Sequence, residues 1–132
     1  MNALGFWKEF YFRGDNLPSI FENGVLTKKG EQDEKIHPKI IAYLKSGIWL
    51  FKARSLFICL LTEEVIGTPY TYTDGKWYWT TEYIYYLENY NLSIPTDFLE
   101  WIELNNYEIP KEEDFEKERI ESLKEEIEDY GF

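Results

Sequence analysis

The sequence predicts an α+β domain: a small antiparallel β-meander packed against several helices, with an amphipathic helix at the C-terminal end. Three observations predict it. Short apolar runs follow one another through the middle of the chain, across connections too short for parallel crossovers. Apolar residues at helical spacing flank that region on both sides. Beyond Pro110 the composition turns to Glu and Lys around a single apolar stripe, the pattern of an amphipathic helix.

The elements follow in order. Residues 4–12 are aromatic and are expected on the core. Asp15-Asn16-Leu17-Pro18 reads as a turn, and 19–22 as a short helical turn stopped by Asn23-Gly24. Ile36, Ile40, Ile41 and Leu44 form one helical stripe, with Pro38 in its first turn, where a missing N–H costs nothing. Ser46-Gly47 should stop that helix, glycine taking a left-handed cap without strain. Ile48-Trp49-Leu50-Phe51 and Leu56-Phe57-Ile58-Cys59-Leu60-Leu61 read as strands. Two further strands carry Tyr70 and Tyr72, then Trp77 and Trp79, with Asp74-Gly75 between them as a hairpin turn of positive φ. Thr80 or Thr81 caps a helix running to about Tyr90, with Tyr83, Leu87 and Tyr90 on one side. After Ile94-Pro95, Thr96 or Asp97 caps a shorter helix with Phe98, Trp101 and Ile102 inward. Phe115, Ile120, Leu123, Ile127 and Tyr130 form the stripe of the last helix, over 111–130. A single domain over 1–132 accounts for the whole chain, close to the common domain size.

Composition sets limits on function. Aromatic residues make up 19% of the chain and apolar residues 44%, which excludes global disorder. Acidic residues number 25 against 14 basic ones, a formal charge of −11. Such a charge repels nucleic acid and anionic lipid and attracts a basic protein. Between Asn105 and Phe132 stand eleven acids and four bases, so −7 of the −11 is concentrated there. The single cysteine forbids an intrachain disulfide, which suits a reducing compartment. No signal peptide or membrane-spanning run is visible, so the expected location is the cytoplasm.

Residues able to carry chemistry are sparse. His37 is the lone histidine, with nothing in the spacing to make it part of a charge relay. Cys59 lies among Leu, Ile and Phe and reads as a small buried hydrophobe. One His and one Cys cannot build a structural zinc site. Glu112-Glu113-Asp114 and Glu125-Glu126-x-Glu128-Asp129 lack the alternation and glycine of a calcium loop. Glu63-Glu64, or Glu100 with Glu103, offer carboxylate pairs, but in so acidic a chain such pairs arise by chance. Gly14, Gly24, Gly30 and Gly47 are isolated, so no phosphate loop exists. No catalytic residue, metal or cofactor is expected.

Thr73-Asp74-Gly75-Lys76-Trp77-Tyr78-Trp79 is followed by Tyr83-x-x-Tyr86-Leu87-Glu88-x-Tyr90 and Leu92-x-Ile94-Pro95-x-x-Phe98, with Tyr43-Leu44-Lys45-Ser46-Gly47 upstream. This order resembles a group of small uncharacterised bacterial proteins with an Asp-Gly turn, a Trp-x-Trp strand, a Tyr-rich helix and a Leu-Pro-x-x-Phe segment. The likeness covers about 40–102. Where the pattern often has Pro after the Trp-x-Trp strand, this chain has Thr80, a helix cap by another route. Small acidic proteins of this kind are similar to immunity proteins of bacterial toxin systems. The resemblance implies structural roles for the matched residues and carries no catalytic residue.

The leading functional expectation is therefore an immunity-type inhibitor that binds a basic partner such as a toxin nuclease, without direct contact to nucleic acid or membrane. Exposed members of Tyr70, Tyr72, Trp77, Tyr83 and Tyr85, with Glu82 and Glu88, are the candidate partner-binding residues. An acidic DNA mimic or adaptor acting through the 111–130 helix is the alternative. A carboxylate-dependent hydrolase is the third reading, and it requires a deep pocket holding two acids.

Overall fold

The computed structural model describes residues 3–7, 9, 19–23, 38–52, 56–110, 121–122 and 124–125. The chain forms strand β1 (Ala3–Leu4), a 3-10 helix (Ile20–Asn23), helix α1 (Pro38–Lys45), then strands β2 (Ile48–Lys52), β3 (Phe57–Ile58), β4 (Val65–Gly67), β5 (Tyr70–Thr73) and β6 (Tyr78–Thr80). Helices α2 (Thr81–Asn89) and α3 (Thr96–Leu104) follow. The α+β class is as the sequence predicts.

The sheet corrects the expected antiparallel meander. Four strands lie in the order β1-β6-β5-β2, and β1 runs parallel to β6, with Ala3 beside Tyr78 and Leu4 beside Trp79. Short connections between successive runs rule out parallel neighbours only among those runs. A strand supplied from the far end of the chain escapes that argument. The meander is also interrupted, because β2 pairs with β5, and among the described residues β3 pairs only with β4, in a separate two-stranded sheet.

Local chemistry explains most of the element boundaries. Pro38 opens α1, which buries Ile40, Tyr43 and Leu44; Ile36 lies outside the described residues. Gly47 does not end α1 through a left-handed conformation, since the positive-φ glycines described are Gly5, Gly67 and Gly75. Its requirement is space: a Cβ there would stand 2.8 Å from both the Trp79 ring and the Tyr72 Cβ. The Asp74-Gly75 turn is built as its sequence suggests. Gly75 has φ +96°, and Asp74 Oδ1 accepts from the backbone N–H of Lys76 at 2.9 Å and Trp77 at 2.7 Å. Thr80 caps α2, its hydroxyl accepting from the Tyr83 N–H at 3.3 Å. In α3 the cap position falls on Pro95, and neither Thr96 nor Asp97 serves as cap. Of the helix expected over 111–130, Glu121, Ser122, Lys124 and Glu125 are helical and the rest lies outside the described residues.

The core is aromatic. Trp79 is fully buried, stacks near Tyr43 and Phe98 with ring centroids 5.9 and 5.7 Å away, and donates its indole N–H to the Leu44 carbonyl at 2.9 Å. Trp77 packs on Phe98 at 4.7 Å. Trp7 joins the same cluster through Tyr83 and Tyr86.

Candidate functional site

Three of the sequence-based candidates belong to the interior. Trp77, Tyr83 and Glu82 are all buried, so they cannot form a docking face. Their places follow from tertiary contacts the sequence pattern does not display. Trp77 closes on Phe98, Tyr83 on Trp7, and Glu82 is carried inward in the first turn of α2. Glu88 is exposed, but it faces Lys45 across α1 and α2 in an ion pair of 3.0 Å. Tyr70, Tyr72 and Tyr85 are half-buried.

Tyr70 and Tyr72 lie beside a residue that sequence reasoning missed. Trp49, Tyr72 and Trp79 are direct cross-strand neighbours on β2, β5 and β6 and therefore share one face of the sheet. Burial falls along that row from Trp79 in the core to Trp49 at the edge strand, which is 65% exposed. Trp49 also packs on Tyr70, ring centroids 4.7 Å apart, and Tyr70 on Tyr72 at 6.4 Å. The aromatic row thus runs out of the core onto the surface.

The hairpin of β3 and β4 is the second surface feature. Phe57 and Cys59 point inward. Phe57 meets Tyr85 and Tyr86 edge-on at 5.3 and 5.6 Å, and the Leu60 N–H donates to the Tyr86 hydroxyl at 3.0 Å. On the outside, Leu56, Ile58, Leu60, Leu61 and Val65 are exposed, with Ile58 and Val65 paired across the strands. Large aliphatic side chains gathered on a soluble surface mark interaction sites more often than chance. The 56–61 run gave the available signal: successive strand residues face opposite sides, so a hairpin outside the main sheet must expose one of them. Glu63 and Glu64 border this aliphatic face, both exposed, and Glu63 sits at φ +61° in the connecting turn.

Cys59 is where the electrostatics of this region gather. Its Sγ lies 3.7 Å from the Tyr90 hydroxyl. Burial pushes the thiol up, but the hydroxyls of Thr62 and Tyr85 and the N–H groups of Leu61 and Thr62 outweigh it. The thiol is held down at about 6. The same contact raises Tyr85, chiefly through its hydrogen bond to Cys59, while burial is the main cause that raises Tyr86 and Tyr90. A cavity of about 370 Å³ opens beside the thiol, lined by Glu9, Leu56, Ile58, Cys59, Leu60 and Glu63.

Asp74 is the other concentration of polar contacts, and it is structural. Its Oδ2 accepts from the Tyr43 hydroxyl at 2.5 Å and from the Trp101 indole N–H at 3.0 Å, so the buried carboxylate ties the turn to α1 and α3. Burial and the Asp74 charge both raise Tyr43. Lys76 lies over the Trp101 ring, 4.4 Å from its centroid. Among the described residues, no group of three His, Cys, Asp or Glu side chains is placed to hold a metal ion, and no helix is long and apolar enough to cross a membrane. His37 lies outside the described residues, as does most of the segment 111–130 on which the adaptor reading depends. No protein-family model matches this sequence, no curated protein matches it, and no solved structure matches it.

Proposed function

We propose that this chain is a binding protein that captures and neutralises a basic protein, in the manner of an immunity protein set against a bacterial toxin. The aliphatic outer face of the β3–β4 hairpin carries the reading. Five large side chains, Leu56, Ile58, Leu60, Leu61 and Val65, stand exposed within ten residues of a chain whose net charge is −11. Apolar area of that kind supplies the short-range attraction of an interface. The net charge supplies long-range steering toward a basic surface and disfavours nucleic acid and anionic membranes. Trp49 with Tyr70, on the main sheet, adds a rigid aromatic anchor of the sort that dominates binding energy at interfaces.

Co-expression tests this reading. If the reading is right, the product of a gene neighbouring the coding sequence arrests growth when expressed alone and loses that effect when this chain is present, and the two purified proteins form a complex. Growth arrest that persists at matched expression, together with no heat of binding between the purified proteins, would remove the proposal.

A further inference from the structure

Resting on that reading, we propose that the cavity beside Cys59 receives a Lys or Arg side chain of the basic partner, with the aliphatic face of the β3–β4 hairpin seated against apolar residues flanking that cation. Two walls of different chemistry carry the assignment. Leu56, Ile58 and Leu60 supply apolar wall, and Glu9 and Glu63 supply carboxylates. A long cationic side chain has the matching division, an apolar stem and a charged head.

Glu9 gives the pocket its direction. Its Oε1 accepts from the Ser19 hydroxyl at 2.7 Å and the Ile20 N–H at 2.6 Å, which fixes the carboxylate against the 3-10 helix. Its Oε2 is buried and has no hydrogen-bond partner among the described residues. A desolvated carboxylate oxygen without a donor is costly, and an ammonium or guanidinium head in the cavity would supply that donor once the Glu9 side chain turned to meet it. Glu63, exposed, is the second carboxylate of the lining. Charge also decides between occupants. A second copy would bring its own Glu9, Glu63 and Glu64 against this rim and be repelled, whereas a basic protein is attracted.

Amide chemical shifts of the ¹⁵N-labelled full chain test the assignment with three probes: acetyl-Leu-Arg-Leu-Arg-Leu-amide, its Ser-for-Arg counterpart and its Glu-for-Arg counterpart. The Arg peptide is expected to shift the amides of Glu9 and of 56–65, to bind roughly tenfold more tightly than the Ser peptide, and to weaken as salt rises. Glu63→Gln, at an exposed position, should weaken it severalfold while leaving the Trp79 indole resonance in place, and Glu9→Gln should do the same. Equal binding of the Ser peptide, shifts centred on another surface, or no shift at all would overturn the proposal. So would self-association of the free chain that Ile58→Lys abolishes, because the occupant would then be a second copy. The two levels separate cleanly. Growth protection that survives both Ile58→Lys and Glu63→Gln refutes this site and spares the functional reading, whereas Arg-peptide docking here without growth protection supports the site and refutes that reading.

Discussion

Glu82→Gln should remove a loss of stability that this protein suffers as pH rises to neutral. Glu82 is 2% exposed, and its Oε1 has no hydrogen-bond partner among the described residues. Burial pushes its carboxyl from 4.5 up to about 7, against a smaller opposing pull from its own backbone N–H. Between those two values the folded chain holds a proton that the unfolded chain has released. Stability therefore falls as pH rises from about 4.5 to about 7 and is level beyond, so far as this group decides it. A carboxyl displaced that far carries about 3 kcal/mol, at ~1.4 kcal/mol for each pH unit. Glutamine keeps the shape and cannot ionise, so the variant loses this slope. A constant offset is expected as well, because the amide brings its own unpaired donors inside at about 1–3 kcal/mol. The slope rather than the offset is therefore the readout. Urea unfolding of both proteins at half-unit steps from pH 4 to pH 8.5 supplies it, and subtraction cancels every other titrating group. The difference in unfolding free energy should change by about 3 kcal/mol in favour of the variant across the window. Parallel profiles would show that Glu82 ionises in a solvated place and that the burial argument is wrong.

Three other perturbations probe the frame. Gly47→Ala should cost about 1–3 kcal/mol in chemical denaturation, since the added Cβ meets the Trp79 ring and the Tyr72 Cβ at 2.8 Å, and both are held by the sheet. Asp74→Asn places an NH₂ where four donors converge on a carboxylate, and should lower stability by about 3 kcal/mol with altered tryptophan emission from Trp77 and Trp101. The Cys59 thiolate should appear in ultraviolet absorbance with a midpoint near 6, and Tyr85→Phe should move that midpoint upward by removing one of its donors. A midpoint near that of a free thiol in the unmutated chain would discard the donor account.

What the sequence revealed was local. Asp74-Gly75 encodes its own turn, because glycine accepts φ +96° and the aspartate side chain accepts from the N–H groups of Lys76 and Trp77. The stripes Ile40/Leu44 and Phe98/Ile102 encode helix faces by spacing alone. The parallel pairing of β1 with β6 could not be read this way, since Ala3 and Tyr78 share no local pattern. Gly47 looks like a helix stop in sequence and is required by two distant side chains in space. The candidate site suffered most. Tyr70, Tyr72, Trp77, Tyr83 and Tyr85 look alike as a list of rings, and only the packing of α2 and α3 separates the buried ones from the rest. Leu56-Phe57-Ile58-Cys59-Leu60-Leu61 reads as one strand, yet only Phe57–Ile58 is strand and of the six side chains only Phe57 and Cys59 are buried.

That last division has a consequence for how the surface can vary. The hairpin is held from its inner side, by Phe57 against Tyr85 and Tyr86 and by the Leu60 N–H on the Tyr86 hydroxyl. Its strands share no ladder with β1, β6, β5 or β2. Replacing an exposed outer residue such as Ile58, Leu61 or Val65 therefore removes little packed area, and such changes typically move stability by less than about 0.5 kcal/mol. The inner residues have no such freedom: shortening Phe57 would open a cavity against two rings and cost about 3–5 kcal/mol. An inhibitor of the proposed kind, matching one partner and rejecting its relatives, would benefit from this separation: the outer hairpin residues can change while the Trp79 core, which fixes the fold, stays the same.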